Sequence, residues 1–315
     1  MQSTSSDCVV ILGTGGTIAG RAAQAADNVG YKAGEISVQD LIAAVPPLAQ
    51  RRLEAEQVAQ LDSKNMDHAT WQQLARRLAH HLARPQVRGV VITHGTDTLE
   101  ETAYFLQRVL APTKPVVLTA AMRPATALLV DGPQNLLDAV CVAEDAGASG
   151  VLVCVGGQVF TADQVQKSHS YRVDAFRARD GALLGVVEEG RVRWLGRSAA
   201  AQAALGLAAI ERPAAQWPRV ELLFNHAGAD GAIVQALQSL GVQGLVVAAT
   251  GNGTLADRLE AALLAAQAQG VKVWRSTRCD SGPVVGETPA GLPGSGALGP
   301  VKARVELLLQ LLSQA

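Results

Sequence analysis

Short unbroken apolar runs alternate along this chain with stretches whose apolar residues repeat at helical spacing. The runs are Cys8-Val9-Val10-Ile11-Leu12, Val90-Val91-Ile92, Pro115-Val116-Val117-Leu118-Thr119 and Gly150-Val151-Leu152-Val153-Cys154-Val155. Near-continuous apolar runs of this kind predict strands covered on both faces. Between them, Trp71, Leu74, Ala75, Leu78 and Leu82 line one face of a helix predicted from His68 to Ala83, with Gln72, Gln73, Arg76 and Arg77 opposite. Leu136, Ala139, Val140, Val142 and Ala143 predict another helix, opened by Asp131-Gly132-Pro133. Strand, helix, strand in this rhythm implies a parallel sheet with right-handed crossovers.

From Gly185 to Pro218 the pattern loosens into Gly190-Arg191-Val192-Arg193-Trp194, an alanine-rich piece, Pro213 and Pro218, as an interdomain connection would. Alternation resumes with Val220 to Phe224, Gly244 to Ala249 and Val271 to Trp274, and a helix from Val301 to Ser313 closes the chain. At 315 residues the chain exceeds the size at which one core keeps growing. The expected organisation is α/β, with a larger, mainly parallel-sheet N-terminal domain over residues 1–190. A linker over 191–218 and a smaller α/β domain over 219–315 follow.

A 48% hydrophobic fraction, 17% charged residues and a formal net charge of -1 favour an enzyme or small-ligand binder and give no electrostatic case for nucleic acid. Cys8, Cys141, Cys154 and Cys279 lie far apart with no histidine at ligand spacing, so neither zinc nor a disulfide framework is expected; buried free thiols are. The start, Met1-Gln2-Ser3-Thr4-Ser5-Ser6-Asp7, lacks a basic region, and the apolar run after it is too short for a signal core or a membrane span. A cytoplasmic, membrane-free protein is expected.

Two strand ends carry the chemistry. Cys8 to Leu12 runs into Gly13-Thr14-Gly15-Gly16-Thr17-Ile18-Ala19-Gly20, and Val90 to Ile92 into Thr93-His94-Gly95-Thr96-Asp97-Thr98. In open α/β sheets, ligands bind at the carboxyl ends of strands. The first turn is no dinucleotide fingerprint, because Ile18 stands where the third glycine should. Nor is it a phosphate loop, because Arg21-Ala22 replace the lysine and Ser/Thr. What remains is a turn that brings backbone N–H groups and the Thr14 and Thr17 hydroxyls to a small ligand. In the second turn, Thr98 and Glu101 have capping-box spacing and are assigned to helix geometry, which leaves Thr96 and Asp97 for chemistry.

Ile11 to Gly20, ILGTGGTIAG, and Ile92 to Leu106, ITHGTDTLEETAYFL, resemble the two signature segments of the bacterial L-asparaginase family, which includes glutaminase-asparaginases. The likeness continues in family order through Ala121-Met122-Arg123-Pro124, Asp131 to Leu136, Gln166 to His169 with Asp174 to Phe176, Gly251 to Thr254 and Lys302 to Arg304. The resemblance implies Thr14 as nucleophile with Tyr31 as its partner, and Thr96, Asp97 and Lys167 as a second catalytic group. It places Ser63 on the substrate α-carboxylate and Asp97 on the α-ammonium, and adds Gly13, Asp62, Lys64, Gly95 and Ala121 to the substrate-binding set. Two positions depart from well-known members: Lys64 stands where a glutamine is common, and Arg278 to Gly296 is shorter than usual. Glu287 is the candidate for a glutamate lent by a neighbouring subunit, and the resemblance implies a homotetramer of intimate dimers sharing sites.

Amide hydrolysis by a hydroxyl needs an activated nucleophile, donors for the oxyanion and an acid for departing ammonia. Neither metal nor cofactor is required. Lys167 serves as a base only where burial or nearby positive charge keeps it neutral, and a close Asp97 pushes the other way. The Tyr31 phenol can relay a proton from Thr14 if the segment Arg21 to Gly34 closes as a lid over substrate. His94 reads as a buried histidine satisfied by backbone, and Arg123 as a loop anchor. Trp71, Trp194, Trp217 and Trp274, too scattered to form a stacking platform, read as core or interface residues. Three readings stand at this point: an L-asparagine amidohydrolase, a glutaminase-asparaginase or ammonia-supplying amidase, and an amino-acid sensor with little turnover.

Overall fold

A computed structural model of the chain describes residues 7–181, 183–197, 203–286 and 291–314. It divides into two compact units, Met1–Leu207 and Ala208–Ala315. In the first, β1 (Cys8–Gly15), α1 (Val38–Ala43), β2 (Leu53–Leu61), α2 (His68–Leu82), β3 (Val87–Thr93), α3 (Leu99–Leu110), β4 (Val116–Thr119), α4 (Gly132–Glu144) and β5 (Val151–Val155) supply the parallel part of an eight-stranded sheet. The strands β6 (Gln158–Thr161), β9 (Gly185–Glu188) and β10 (Arg191–Trp194) extend it antiparallel, in the order β10-β9-β6-β5-β4-β3-β1-β2. A separate two-stranded ribbon joins β7 (Val165–Lys167) to β8 (Phe176–Ala178).

The apolar runs become the central strands because both faces are covered. Ile11, Val91, Val117, Leu152 and Cys154 pack with Ala139, Val140 and Ala143 of α4. The intervening Val10, Leu12, Val90, Ile92, Val116 and Leu118 are equally buried and face the other way, toward the side of α2 and α3. Asp67 caps α2 by accepting the Thr70 N–H at 2.8 Å. At the other end of α2, the Lys114 ammonium donates to the carbonyls of Leu82 (3.0 Å) and Arg84 (2.7 Å), groups left over where the helix stops. A cation there also meets the negative end of the helix dipole, so Lys114→Met is expected to lower the unfolding free energy by about 1–2 kcal/mol. The measurement is a lower urea midpoint at unchanged slope, and an unmoved midpoint contradicts it.

Six strands went unread in the sequence, and three of them, β2, β9 and β10, lie on or beside an edge of the large sheet. Glu54 and Glu56 alternate along β2 and ion-pair with Arg84 and Arg77. Arg191 and Arg193 alternate along β10, where Arg193 meets Glu188 of β9. Charged alternation of this kind keeps an edge strand from recruiting further strands, and it reads as linker in a sequence. The segment expected to begin the interdomain connection at residue 191 is therefore sheet as far as Trp194. Glu189 (φ 48°) and Gly190 (φ 71°) make the tight turn of that hairpin, where two consecutive positive φ angles match the strands' twist.

The second unit is a three-stranded parallel sheet of β11 (Val220–Phe224), β12 (Gly244–Ala249) and β13 (Lys272–Thr277), in that order. Leu245, Val247 and Val273 pack against Val234 of α5 (Ala232–Ser239) and Leu259 and Leu263 of α6 (Asp257–Ala268). The closing helix α7 (Pro300–Gln314) packs on β12, and a side chain at Gly244 would strike its Leu307 at 3.0 Å. Among the described residues, no helix is long and apolar enough to cross a membrane.

Candidate active site

The two glycine-bearing turns expected from the sequence touch each other. At the end of β1, Gly15 (φ 101°) and Gly16 (φ 81°) take up backbone conformations that disfavour a side chain. A Cβ on Gly16 would lie 2.4 Å from the Cα of Gly95, so the turns meet as bare backbone. Gly95 is confined on its other side as well, since a Cβ there would lie 2.4 Å from Ser63 Oγ. Gly13 lies beneath the Gln57 amide, which accepts from Val38 N at 2.9 Å and donates to the Ala59 carbonyl at 2.6 Å.

Thr14 is buried, and its hydroxyl donates to the Thr93 carbonyl at 2.9 Å. Its expected partner is elsewhere. The Tyr31 hydroxyl pairs with Thr17 Oγ1 at 2.6 Å, and no hydrogen bond joins Thr14 to Tyr31. The sequence offers Thr17 only as a neighbouring hydroxyl. Its position three residues after Thr14 brings Tyr31 to the same turn without bringing it to Thr14.

On the second turn, Lys167 Nζ donates to Thr96 Oγ1 at 2.9 Å and pairs with Asp97 Oδ1 at 2.5 Å. An ammonium has three donors and no acceptor, so one lysine serves both groups at once. Ser63, in a 3-10 turn (Ser63–Asn65), accepts the Asp97 N–H on its hydroxyl at 3.2 Å. The Thr98 hydroxyl donates to the Ser63 carbonyl at 2.8 Å and makes no cap hydrogen bond to α3. The capping-box expectation is overturned here, because the Ser63 carbonyl, which also accepts the Met66 N–H at 3.0 Å, takes that hydroxyl away from the helix end. Asp62 and Lys64 form an exposed ion pair at 3.1 Å. The Asp62 carboxylate raises the Lys64 pKa, with smaller contributions from Asp97 and Tyr31, which puts this cation within electrostatic reach of the cluster.

Ala121 is buried just beyond β4, with its flanking peptides pinned from α4. Asn135 Nδ2 donates to the Ala120 carbonyl at 2.9 Å, and the Asp131 carboxylate accepts the N–H groups of Met122 (2.8 Å) and Arg123 (3.0 Å). These bracketing roles of Asp131 and Asn135 went unread in the sequence; the polar pair at the opening of a helix was the available signal. Arg123 is an anchor, as expected: its guanidinium donates to the Tyr171 carbonyl at 2.8 Å and lies 4.2 Å from the centroid of the Tyr171 ring. Glu287 lies outside the described residues.

His94 is fully buried between the turn and α3. Its Nδ1 lies 2.7 Å from the Gly95 carbonyl, which can only accept, so Nδ1 carries the proton. Nε2 then accepts from the Thr102 hydroxyl at 3.0 Å, whose oxygen accepts the Trp71 indole N–H at 2.8 Å. Every member of this chain is satisfied with the imidazole neutral. Burial pushes the His94 pKa down to about 4, against a weaker opposing pull from Gly95. The unfolded chain takes up this proton near pH 6.5 and the native one only near 4, so this group's share of stability is lost as pH falls through that window, by about 3 kcal/mol at most. The His94 ring resonance is expected to stay at its neutral position down to pH 5; protonation near 6.5 contradicts the assignment.

Among the described residues, no group of three or more His, Cys, Asp or Glu is placed to hold a metal ion. Cys8, Cys141 and Cys154 are buried free thiols, while Cys279 is exposed, contrary to the expectation that all four are buried.

Residues 8–200 match the family described as Asparaginase, N-terminal, and residues 219–315 match the Glutaminase/Asparaginase C-terminal domain. The chain belongs to the L-asparaginase family. A glutaminase-asparaginase of Pseudomonas fluorescens biotype A is 38% identical over 277 residues, covering 87% of this chain and 76% of that protein. L-asparaginase 2 of Bacillus subtilis (strain 168) is 35% identical over 309 residues, covering 96% of this chain and 81% of that protein. The crystal structure of a probable cytoplasmic L-asparaginase from Campylobacter jejuni superposes with a TM-score of 0.92 at 37% identity, over 97% of this chain and 95% of that one. The asparaginase-family chain thus carries its signature turns at the carboxyl ends of β1 and β3, as the apolar runs before them predicted.

Proposed function

We propose that this chain hydrolyses the side-chain amide of L-asparagine to L-aspartate and ammonia. The observation that carries the reading is the Lys167–Thr96–Asp97 cluster, seated on a turn that touches the Thr14 turn backbone to backbone. The Thr14 oxygen adds to the amide carbon as its proton is relayed through the Tyr31 phenol, which gives up its own proton toward the amide nitrogen and reaches Thr14 when residues 21–34 close over substrate. Collapse breaks the C–N bond, the nitrogen takes up a proton and leaves as ammonia, and water then cleaves the acyl ester and restores the hydroxyl. Donors for the developing oxyanion come from the turns after Thr14 and Thr96 as substrate displaces the present partners of the Gly16 and Asp97 N–H groups, the Leu61 carbonyl and Ser63 Oγ. Ser63 holds the substrate α-carboxylate and Asp97 its α-ammonium, while Gly13, Asp62, Lys64, Gly95 and Ala121 line the pocket. The working form in this reading is a cytoplasmic homotetramer of intimate dimers, with Glu287 of the partner subunit joining the Thr14–Tyr31 pair.

Ammonia release from asparagine and from glutamine, measured side by side, tests the reading. Faster release from asparagine is expected. Comparable rates would make the chain a glutaminase-asparaginase, the reading favoured by the name of the Pseudomonas relative. Aspartate binding with no ammonia from either amide would sink the hydrolase and leave a sensor. An active monomer in sedimentation would remove the shared site alone.

A further inference from the structure

Lys167 must reach Thr96 from a strand that the main sheet does not position. The ribbon carrying it, β7–β8, shares no ladder with the eight-stranded sheet, and it follows β6, which lies three strands from β3 in sheet order. Sheet hydrogen bonds therefore leave the distance from Lys167 to the β3 turn open. β7 packs on α3, with Val165 fully buried, and one side chain of that helix takes hold of the lysine itself. Glu100, in the first turn of α3, accepts the Lys167 backbone N–H on Oε1 at 3.2 Å. A carboxylate is favoured in that first turn by the positive end of the helix dipole.

We propose that Glu100 is a positioning residue that fastens the main chain of Lys167 to the start of α3, so that its ammonium is delivered to Thr96 and Asp97. Thr96 stands three residues before α3, so the same short rigid stretch holds both ends of the lysine: the N–H at Glu100 and the ammonium at Thr96 and Asp97. Without the backbone contact the four-carbon stem can still reach, but from a strand end free to shift, and misplacement of a reacting group by about 1 Å costs on the order of a hundredfold in rate. The contact needs an acceptor oxygen and no charge. A glutamine can supply it, an alanine cannot, and aspartate is one methylene short.

The inference rests on the proposed hydrolase reading for its kinetic consequence. The test compares Glu100→Ala, Glu100→Asp and Glu100→Gln in the full chain by kcat and KM for asparagine, and by amide hydrogen exchange of residues 165–168. Alanine and aspartate are expected to lower kcat by about tenfold or more with KM changed less than about threefold, and to speed exchange at Lys167. Glutamine is expected to keep kcat within about threefold and to keep the protection. Unchanged kcat and exchange in Glu100→Ala would overturn the proposal, as would a glutamine variant as impaired as the alanine one. If the native chain releases no ammonia, the hydrolase reading fails by itself, and the exchange comparison still decides whether Glu100 fastens Lys167. The aspartate variant carries that comparison should Glu100→Ala not fold.

Discussion

Thr14→Ala is expected to lower ammonia release from asparagine by about a thousandfold or more, because it removes the attacking oxygen itself. The same substitution should leave the fold standing. The lost hydroxyl makes one hydrogen bond, to the Thr93 carbonyl, worth on the order of 1 kcal/mol net. The turn around it is held by backbone contacts that do not involve the side chain, among them Gly16 N–H to the Leu61 carbonyl at 2.8 Å. Activity and urea midpoint should therefore separate, the first collapsing while the second barely moves. More than about a tenth of native activity in Thr14→Ala, a loss of only ~1.4 kcal/mol of transition-state stabilisation, would remove Thr14 from the nucleophile's role.

The second large effect is expected at Lys167, and its form matters as much as its size. Methionine keeps an apolar stem of similar length but strips both the donor to Thr96 and the partner of Asp97, so kcat should fall by about a hundredfold or more. Thr96→Val removes the other end of the same contact and should cost a comparable factor. Because the two groups act through one hydrogen bond, the double variant is expected to be little worse than either single one. Losses that multiply would mean that Thr96 and Lys167 act separately, and the three-residue cluster would then be a structural ion pair.

The legible part of the fold was the part built from contiguous burial. The central strands β1, β3, β4 and β5 are apolar at almost every position, and the stripe on α2 is regular, so period and length identify them. The strand β2 was not legible, because its charged residues are explained by ion pairs with side chains on and after α2, and β9 and β10 were not, because a short hairpin whose charges pair with each other looks like a linker. The same division runs through the candidate site. Thr14, Thr96 and Asp97 announce themselves as hydroxyls and a carboxylate at buried strand ends. Thr98 was misread because its partner, the Ser63 carbonyl, lies 35 residues away. Glu100 meets Lys167 across a separation of 67 residues, and no local spacing encodes that meeting. Tyr31 shows a further limit, since a sequence names a residue without fixing which of two nearby threonines it will meet.

The backbone contact between Gly16 and Gly95 also sets a boundary on redesign. Two turns that already touch without side chains cannot be drawn closer, and any side chain introduced at the seam would drive them apart. The spacing between the Thr14 and Thr96 turns is therefore a fixed gauge. A version of this protein accepting a longer amide side chain would have to gain its room at the Ala121 turn or along residues 21–34, leaving the seam untouched.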